Sequence, residues 1–346
     1  MAPVTERILT PRALNRALLA RQLLLERSSL PIVAAIEQVG GLQTQYAPSG
    51  YVGLWTRLAN FPRDSLTAAL EDHSVVQATL LRTTIHMVSG REFWRFAMGV
   101  RQARQTWALR VGPDAADEPA LKAAADRLRV ALAEGPRTVK ELRGLVTGFV
   151  GNAGLWVDLV RVPPSGTWQR RRADRLGLAE DWVGPPDATE DDGLAHLVRA
   201  YLRGFGPAPW RDIGLWAGIS VADAKRGGEG LTLVRHRDEL GKELLDLPDS
   251  PLPDPRTPAP VRFLPHWEAV LLVHARRTGI LPEEHRPRVF RTKNPFSVGT
   301  VLVDGRVAAA WSLRDGRVEL EPYEELSASD QRAVDDERAA LEAFHA

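Results

Sequence analysis

The 346-residue chain is too long for one simple core, ordinary in its 44% apolar content, and free of any apolar run that would span a membrane or direct secretion, so two or three folding units in the cytoplasm are expected. It contains no cysteine, which excludes disulfides, iron–sulfur clusters and thiol nucleophiles, and its scattered histidines include no H-E-x-x-H spacing, so neither metal nor other cofactor is expected. A net charge of +1 excludes a uniformly basic coat but leaves room for a local basic stripe, and the basic residues are almost all arginine, the better partner for phosphate forks.

Thr10-Pro11 opens a first helix, with Thr10 as cap, Pro11 at the first helical position and Leu14, Leu18 and Leu19 at helical spacing. A second helix is expected from Ser29 through Ile36 and Val39, stopped by Gly40-Gly41. Gln43-Thr44-Gln45 follows, then a third helix after Pro48-Ser49-Gly50. Three helices in so short a span suit a helix-turn-helix core. A further helix near Ser65 to Glu71 precedes Val75 to Val88, a β-branched stretch that reads as a strand or hairpin, and a long helix runs from Arg91 to Arg110.

The polar stretch Gly112 to Pro119 marks a unit boundary. The next unit has a helix from Ala120 to Glu134, a capping-box pattern in Thr138 and Glu141, and a strand-like run from Leu155 to Val162. A third unit repeats the scheme: a helix from Gly193 to Arg203, a Gly-Pro turn, the segment Trp210 to Ala217, a helix from Ser220, and a wing within Leu231 to Leu247. Asp249 to Pro260 is a proline-rich extended linker. Beyond it, Asp304-Gly305 and Asp315-Gly316 punctuate a β-rich tail, and a helix from Ser329 to Phe344 closes the chain. The fold class is mainly α with β wings, an α+β arrangement of tandem winged-helix modules. The expected units are 1–112, 113–190 and 191–250, followed by a β-rich region and helix over 251–346.

Usual catalytic signatures are missing. There is no G-x-S-x-G elbow, Gly227-Gly228-Glu229-Gly230 lacks P-loop and Rossmann spacing, and Asp191-Asp192 and Asp335-Asp336-Glu337 read as solvated charges. Gln43-Thr44-Gln45 is different in kind. In an extended segment the two glutamines project to the same side, and each offers one acceptor oxygen and two donor hydrogens. Such a pair can position a water and a sugar oxygen, yet it cannot act as a strong base. A solvated or capping glutamine pair is the alternative.

The stretch GGLQTQYAPSGYVGLWTRL resembles the AlkZ/YcaQ family of winged-helix DNA glycosylases. So do Glu71 to Ser89, through Arg82, Thr84 and His86, the segment VPPSGTW at Val162 to Trp168, and VLVDGRVAAAW at Val301 to Trp311. The resemblance covers Leu9 to Phe344. It implies a monofunctional glycosylase that hydrolyses the N-glycosidic bond of N7-alkylated purines, with Gln43 and Gln45 catalytic and no cofactor. A sister group carries Q-x-D; the second glutamine here points to the AlkZ-like branch, associated with bulky or crosslinking adducts and with self-resistance in toxin producers. The implied partner is double-stranded DNA carrying alkylated purines, engaged by a monomer away from any membrane.

DNA contacts are expected from the cluster Arg170, Arg171 and Arg172, from Arg291 and Lys293 before the C-terminal hairpin, and from Arg82, which serves equally well as a buried ion-pair partner. His86, in an apolar run, reads first as a core histidine. Trp55, Trp216 and Trp311 lie in apolar patterns, and none is assigned to base stacking. The competing readings are a winged-helix transcription regulator without chemistry and a scaffold that recruits other repair proteins.

Overall fold

A computed structural model describes residues 7–111, 117–146, 150–275, 277–290 and 297–346. The first helix, Pro11–Arg21, starts where its cap dictates: Thr10 Oγ1 accepts from the Ala13 amide at 3.1 Å. The second, Ile32–Gln38, begins later than Ser29, because Pro31 biases Leu30 away from helical geometry. The third, Pro48–Trp55, begins earlier than expected. Pro48 sits in its first turn, where a missing amide hydrogen costs nothing.

Gly40 and Gly41 both take left-handed geometry, with φ of +77° and +83°, and turn the chain from helix into the short strand Leu42–Gln43. A Cβ on Gly41 would lie 3.1 Å from the Met87 carbonyl oxygen, so the second glycine also permits the close approach to the next strand. That strand is Ile85–Ser89, the return arm of a hairpin with Val75–Thr79. Gln43 pairs with His86 and Leu42 with Met87.

The hairpin is central to a six-stranded antiparallel sheet. Its order is Leu42–Gln43, Ile85–Ser89, Val75–Thr79, Leu159–Arg161, Arg175–Leu178 and Arg137–Thr138. Strands from either side of the polar stretch 112–119 pair directly in this sheet, Val75–Thr79 with Leu159–Arg161; residues 112–116 lie outside the described residues. A three-stranded sheet joins Ile8–Leu9 to the arms Val234–Asp238 and Glu243–Asp246, and a four-stranded meander is built from Arg262–Leu264, Gly299–Val303, Arg306–Arg314 and Arg317–Pro322. The last helix, Ala328–His345, seats Val334 and Leu341 against Phe263, Trp311 and Val318 of that meander. The molecule is thus α+β.

The largest core binds helices Phe93–Arg110, Glu190–Phe205 and Trp210–Ala217 through Phe96, Val100, Leu197, Tyr201 and Trp216. The first two of these helices touch backbone to backbone: a Cβ on Gly193 would sit 2.3 Å from the Gly99 nitrogen. Two buried ion pairs tie distant segments together. Arg21 grips Asp246 through bonds of 2.6 and 2.8 Å, and Arg57 donates to Glu268 at 2.9 Å. The stretch 249–260 has no regular secondary structure, but arginines of the first helix pin it. Arg12 donates to the Pro255 carbonyl, Arg16 to Thr257 and Arg21 to Pro251. Among the described residues no helix is long and apolar enough to cross a membrane.

Candidate active site

Gln43 and Gln45 leave the sheet at the same place and meet different surroundings. Gln43 is the last residue of its strand and is buried, whereas Gln45 is exposed. Between them, the Thr44 amide donates to the Ile85 carbonyl at 2.8 Å, which holds the segment extended beside the hairpin. The hairpin also holds both side-chain oxygens. Gln43 Oε1 accepts from Arg82 Nη2 at 3.0 Å, and Gln45 Oε1 accepts from the Ile85 amide at 3.1 Å. Neither carboxamide nitrogen has a protein acceptor among the described residues. With its oxygen fixed by a donor, each amide is oriented to offer its N–H groups. The buried Thr44 hydroxyl likewise lacks a partner among the described residues.

Arg82 reaches Gln43 from the turn between the hairpin arms, where Arg82 and Thr83 take φ of 51° and 57°. Its other donor nitrogen, Nη1, bonds the Trp216 carbonyl in the last turn of helix Trp210–Ala217. That carbonyl is one of the acceptors a helix leaves open at its C-terminus, where a positive charge is favoured. Gly218, with φ of +78°, ends the helix close against Arg82: a Cβ there would lie 3.0 Å from the Arg82 backbone. Desolvation lowers the Arg82 pKa to about 10, and it remains a cation at neutral pH. Its observed partners are two carbonyl oxygens, one of them on a candidate catalytic residue.

His86 is paired across the sheet with Gln43 and is fully buried. Burial, reinforced by the Arg82 charge, lowers its pKa to about 3, and its Nδ1–H donates to the Thr84 carbonyl at 3.1 Å. It is a neutral core histidine that braces the strand carrying Gln43.

The arginine cluster after Trp168 divides. Arg170 and Arg172 both lie against Asp174, at 3.7 and 3.1 Å. Arg171 instead turns toward the glutamine segment: Nη1 donates to the Tyr46 hydroxyl at 3.3 Å, and its guanidinium lies 5.4 Å from the Trp168 ring centroid. Arg291 and Lys293 lie outside the described residues. Tyr46 forms part of a pocket of about 160 Å³ that also takes in Trp168, Arg171, His266, Trp311 and His345. Sequence reading missed His266 and His345 as neighbours of this segment and left Trp311 to the core; no short-range pattern links positions so far apart. A larger cavity of about 430 Å³ lies between the first helix and Leu240 and is mostly apolar. Among the described residues no cluster of His, Asp or Glu is placed to hold a metal ion.

A family model for AlkZ-like DNA glycosylases matches residues 36–344. The chain belongs to this family. It is a DNA N-glycosylase, and DNA is its partner. The fold agrees. The Streptomyces sahachiroi DNA glycosylase AlkZ superposes with a TM-score of 0.78 at 18% sequence identity, covering 97% of this chain and 96% of that one. No curated protein sequence matches the chain. Membership sets aside both the regulator without chemistry and the scaffold.

Proposed function

We propose that this glycosylase hydrolyses the bond between deoxyribose and an N7-alkylated purine, with Gln43 and Gln45 at the reacting centre. The observation that carries the reading is the shared anchoring of the two amides. Both side-chain oxygens are held by one hairpin, and both sets of N–H donors are left without a protein partner among the described residues.

Alkylation at N7 makes the purine a cation. When the C1′–N9 bond breaks, its electron pair returns to the base, which departs neutral and needs no proton from the enzyme. Water then adds to C1′ and gives up a proton to solvent. What the reaction requires is an oriented water and fixed dipoles around an oxocarbenium-like sugar, and oriented amides supply both. The carbonyl oxygens keep a second lone pair for the water, while the N–H groups suit a sugar or phosphate oxygen. The exposure of Gln45 fits substrates whose N7 substituent is bulky or crosslinked, and a role in toxin self-resistance would follow from that.

Arg171, Arg170 and Arg172 are read as phosphate contacts beside the reacting centre, with Arg291 and Lys293 as further candidates. The winged-helix units 1–112 and 113–190 are read as one DNA-facing body because a single sheet joins them, with 191–250 and the β-rich region 251–346 beside it, acting as a monomer. Incubation with duplex DNA containing N7-methylguanine tests the reading. Free 7-methylguanine should appear with the wild type and fall to background in a Gln43→Ala, Gln45→Ala double variant. Undiminished release by the double variant would move the chemistry elsewhere.

A further inference from the structure

The pocket beside Tyr46 has a chemistry of its own. Tyr46 directly follows Gln45, and Ser49, at the start of helix Pro48–Trp55, lines the same pocket. Its volume of about 160 Å³ is on the scale of the ~150 Å³ cavity that takes up a single aromatic ring. Rings form its walls. Tyr46 and His266 meet edge to face at 5.6 Å, His266 and Trp311 lie 6.0 Å apart, and Trp168 and His345 5.2 Å apart.

The polar groups are equally specific. His266 Nδ1–H donates to the Ser297 carbonyl at 2.8 Å and His345 Nδ1–H to the Leu341 carbonyl at 2.9 Å, so each ring has Nε2 as its acceptor nitrogen. Burial lowers both pKa values, and both rings are neutral at pH 7. The buried Ser49 hydroxyl has no partner among the described residues. No carboxylate lines the pocket among the described residues, and Arg171 does, so a cation is disfavoured. The exposed Arg171 and Leu313 open it to solvent.

We propose that this pocket binds a neutral, planar heteroaromatic ring carried by or released from the damaged nucleotide, stacked among Tyr46, Trp168 and Trp311. Aromatic walls select a flat ring, and the His345 Nε2 and the serine hydroxyl answer its polar edge. The inference rests on the glycosylase reading of the neighbouring glutamines. Two sources share the required chemistry. One is the excised base, which becomes neutral on leaving. The other is an aromatic N7 substituent of a bulky adduct.

Calorimetric titration with free 7-methylguanine and, separately, with quinoline tests the pocket without any catalysis. Tyr46→Leu removes a wall and Ser312→Trp fills the space from the lining strand; their melting temperatures and duplex affinities report whether each is folded. If the base is the occupant, 7-methylguanine binds the wild type and its affinity falls by about tenfold or more in both variants, the scale of one lost aromatic stack. If the substituent is the occupant, quinoline shows that pattern instead. The wild type then also favours an N7-quinolinylmethyl adduct over an N7-methyl adduct, and the variants lose about tenfold of that preference. Absence of binding by both rings, with adduct preference unaltered in both variants, would overturn the proposal. If the wild type releases base from neither adduct, the glycosylase reading of the glutamines fails while the titrations still decide the pocket.

Discussion

Arg82 donates a hydrogen bond of 3.0 Å to the side-chain oxygen of Gln43 while its other nitrogen holds the end of helix Trp210–Ala217. The guanidinium therefore sets which way the buried amide faces and ties that orientation to a helix on the far side of the hairpin turn. Arg82→Met should lower the single-turnover rate of base release by about ten- to a hundredfold, the scale of a lost charge-assisted hydrogen bond. Duplex affinity should hold, because the role is positioning. A loss of affinity with a salt dependence shallower by about one charge would instead assign Arg82 to a phosphate.

Gln45 separates its donors from its acceptor more cleanly. It is exposed, and its oxygen bonds the Ile85 amide. Gln45→Glu keeps an acceptor for that amide but removes both N–H donors and adds a negative charge. Gln45→Ala removes everything. Both should melt near the wild-type temperature. If the donors face the reacting sugar, both should lose about a hundredfold in rate, the scale seen on removing one fixed donor from a transition state. A fast Gln45→Glu variant would assign catalysis to the oxygen.

Local signals in the chain identified much of this architecture. Thr10-Pro11 capped the first helix as expected, the Thr138–Glu141 capping box formed, and Asp304-Gly305 made its turn. Each depends on residues within a few positions of one another. The hairpin Val75–Thr79 and Ile85–Ser89 was legible from β-branched content, but its pairing with Leu159–Arg161 was not, because alternation names a strand and never its distant partner. The glutamine motif stood out only through family resemblance. Its dependence on Arg82 needed the positive-φ turn that bends the guanidinium back over the sheet. Nor does local patterning reveal that Tyr46 meets His266 and Trp311.

The contact between helices Phe93–Arg110 and Glu190–Phe205 has no space for a side chain at its crossing. A Cβ on Gly193 would meet the backbone of two residues of the facing helix, the Gly99 nitrogen at 2.3 Å and the Arg95 carbonyl oxygen at 2.7 Å. Gly193→Ala usually gains helix propensity, but here the helices must separate, costing about 1–3 kcal/mol of overpacking strain. The melting temperature should drop by several degrees. An unchanged or raised value would mean the helices can move apart freely.

Arg171 differs from its neighbours in having no carboxylate beside it among the described residues; Arg170 and Arg172 share Asp174. If it neutralises a phosphate, Arg171→Ala should reduce the slope of log affinity against log salt by about one, with equal loss on every duplex sequence. Arg172→Ala should change it less, since Asp174 already offsets that charge. Equal slopes for wild type and Arg171→Ala would place the phosphate contacts elsewhere.

Stability and catalysis should respond to pH in different ways. His86 is held neutral with its pKa lowered to about 3, against about 6.5 in an unfolded chain. Between those values the unfolded chain binds a proton that the folded chain refuses, so folding stability is fully present above about pH 6.5 and falls as the solution is acidified toward pH 3. His196, lowered to about 3 chiefly by burial, adds to the same loss. Melting temperature should therefore stay level around neutrality and decline on acidification. The rate of base release from N7-methylguanine should not follow a titration in the neutral range, because carboxamides do not ionise there and a cationic base needs no acid. Single-turnover rates on folded enzyme from about pH 6.5 to 8.5 decide the matter. A level profile supports the paired amides, whereas a sigmoid or bell would require an ionising group in the transition state.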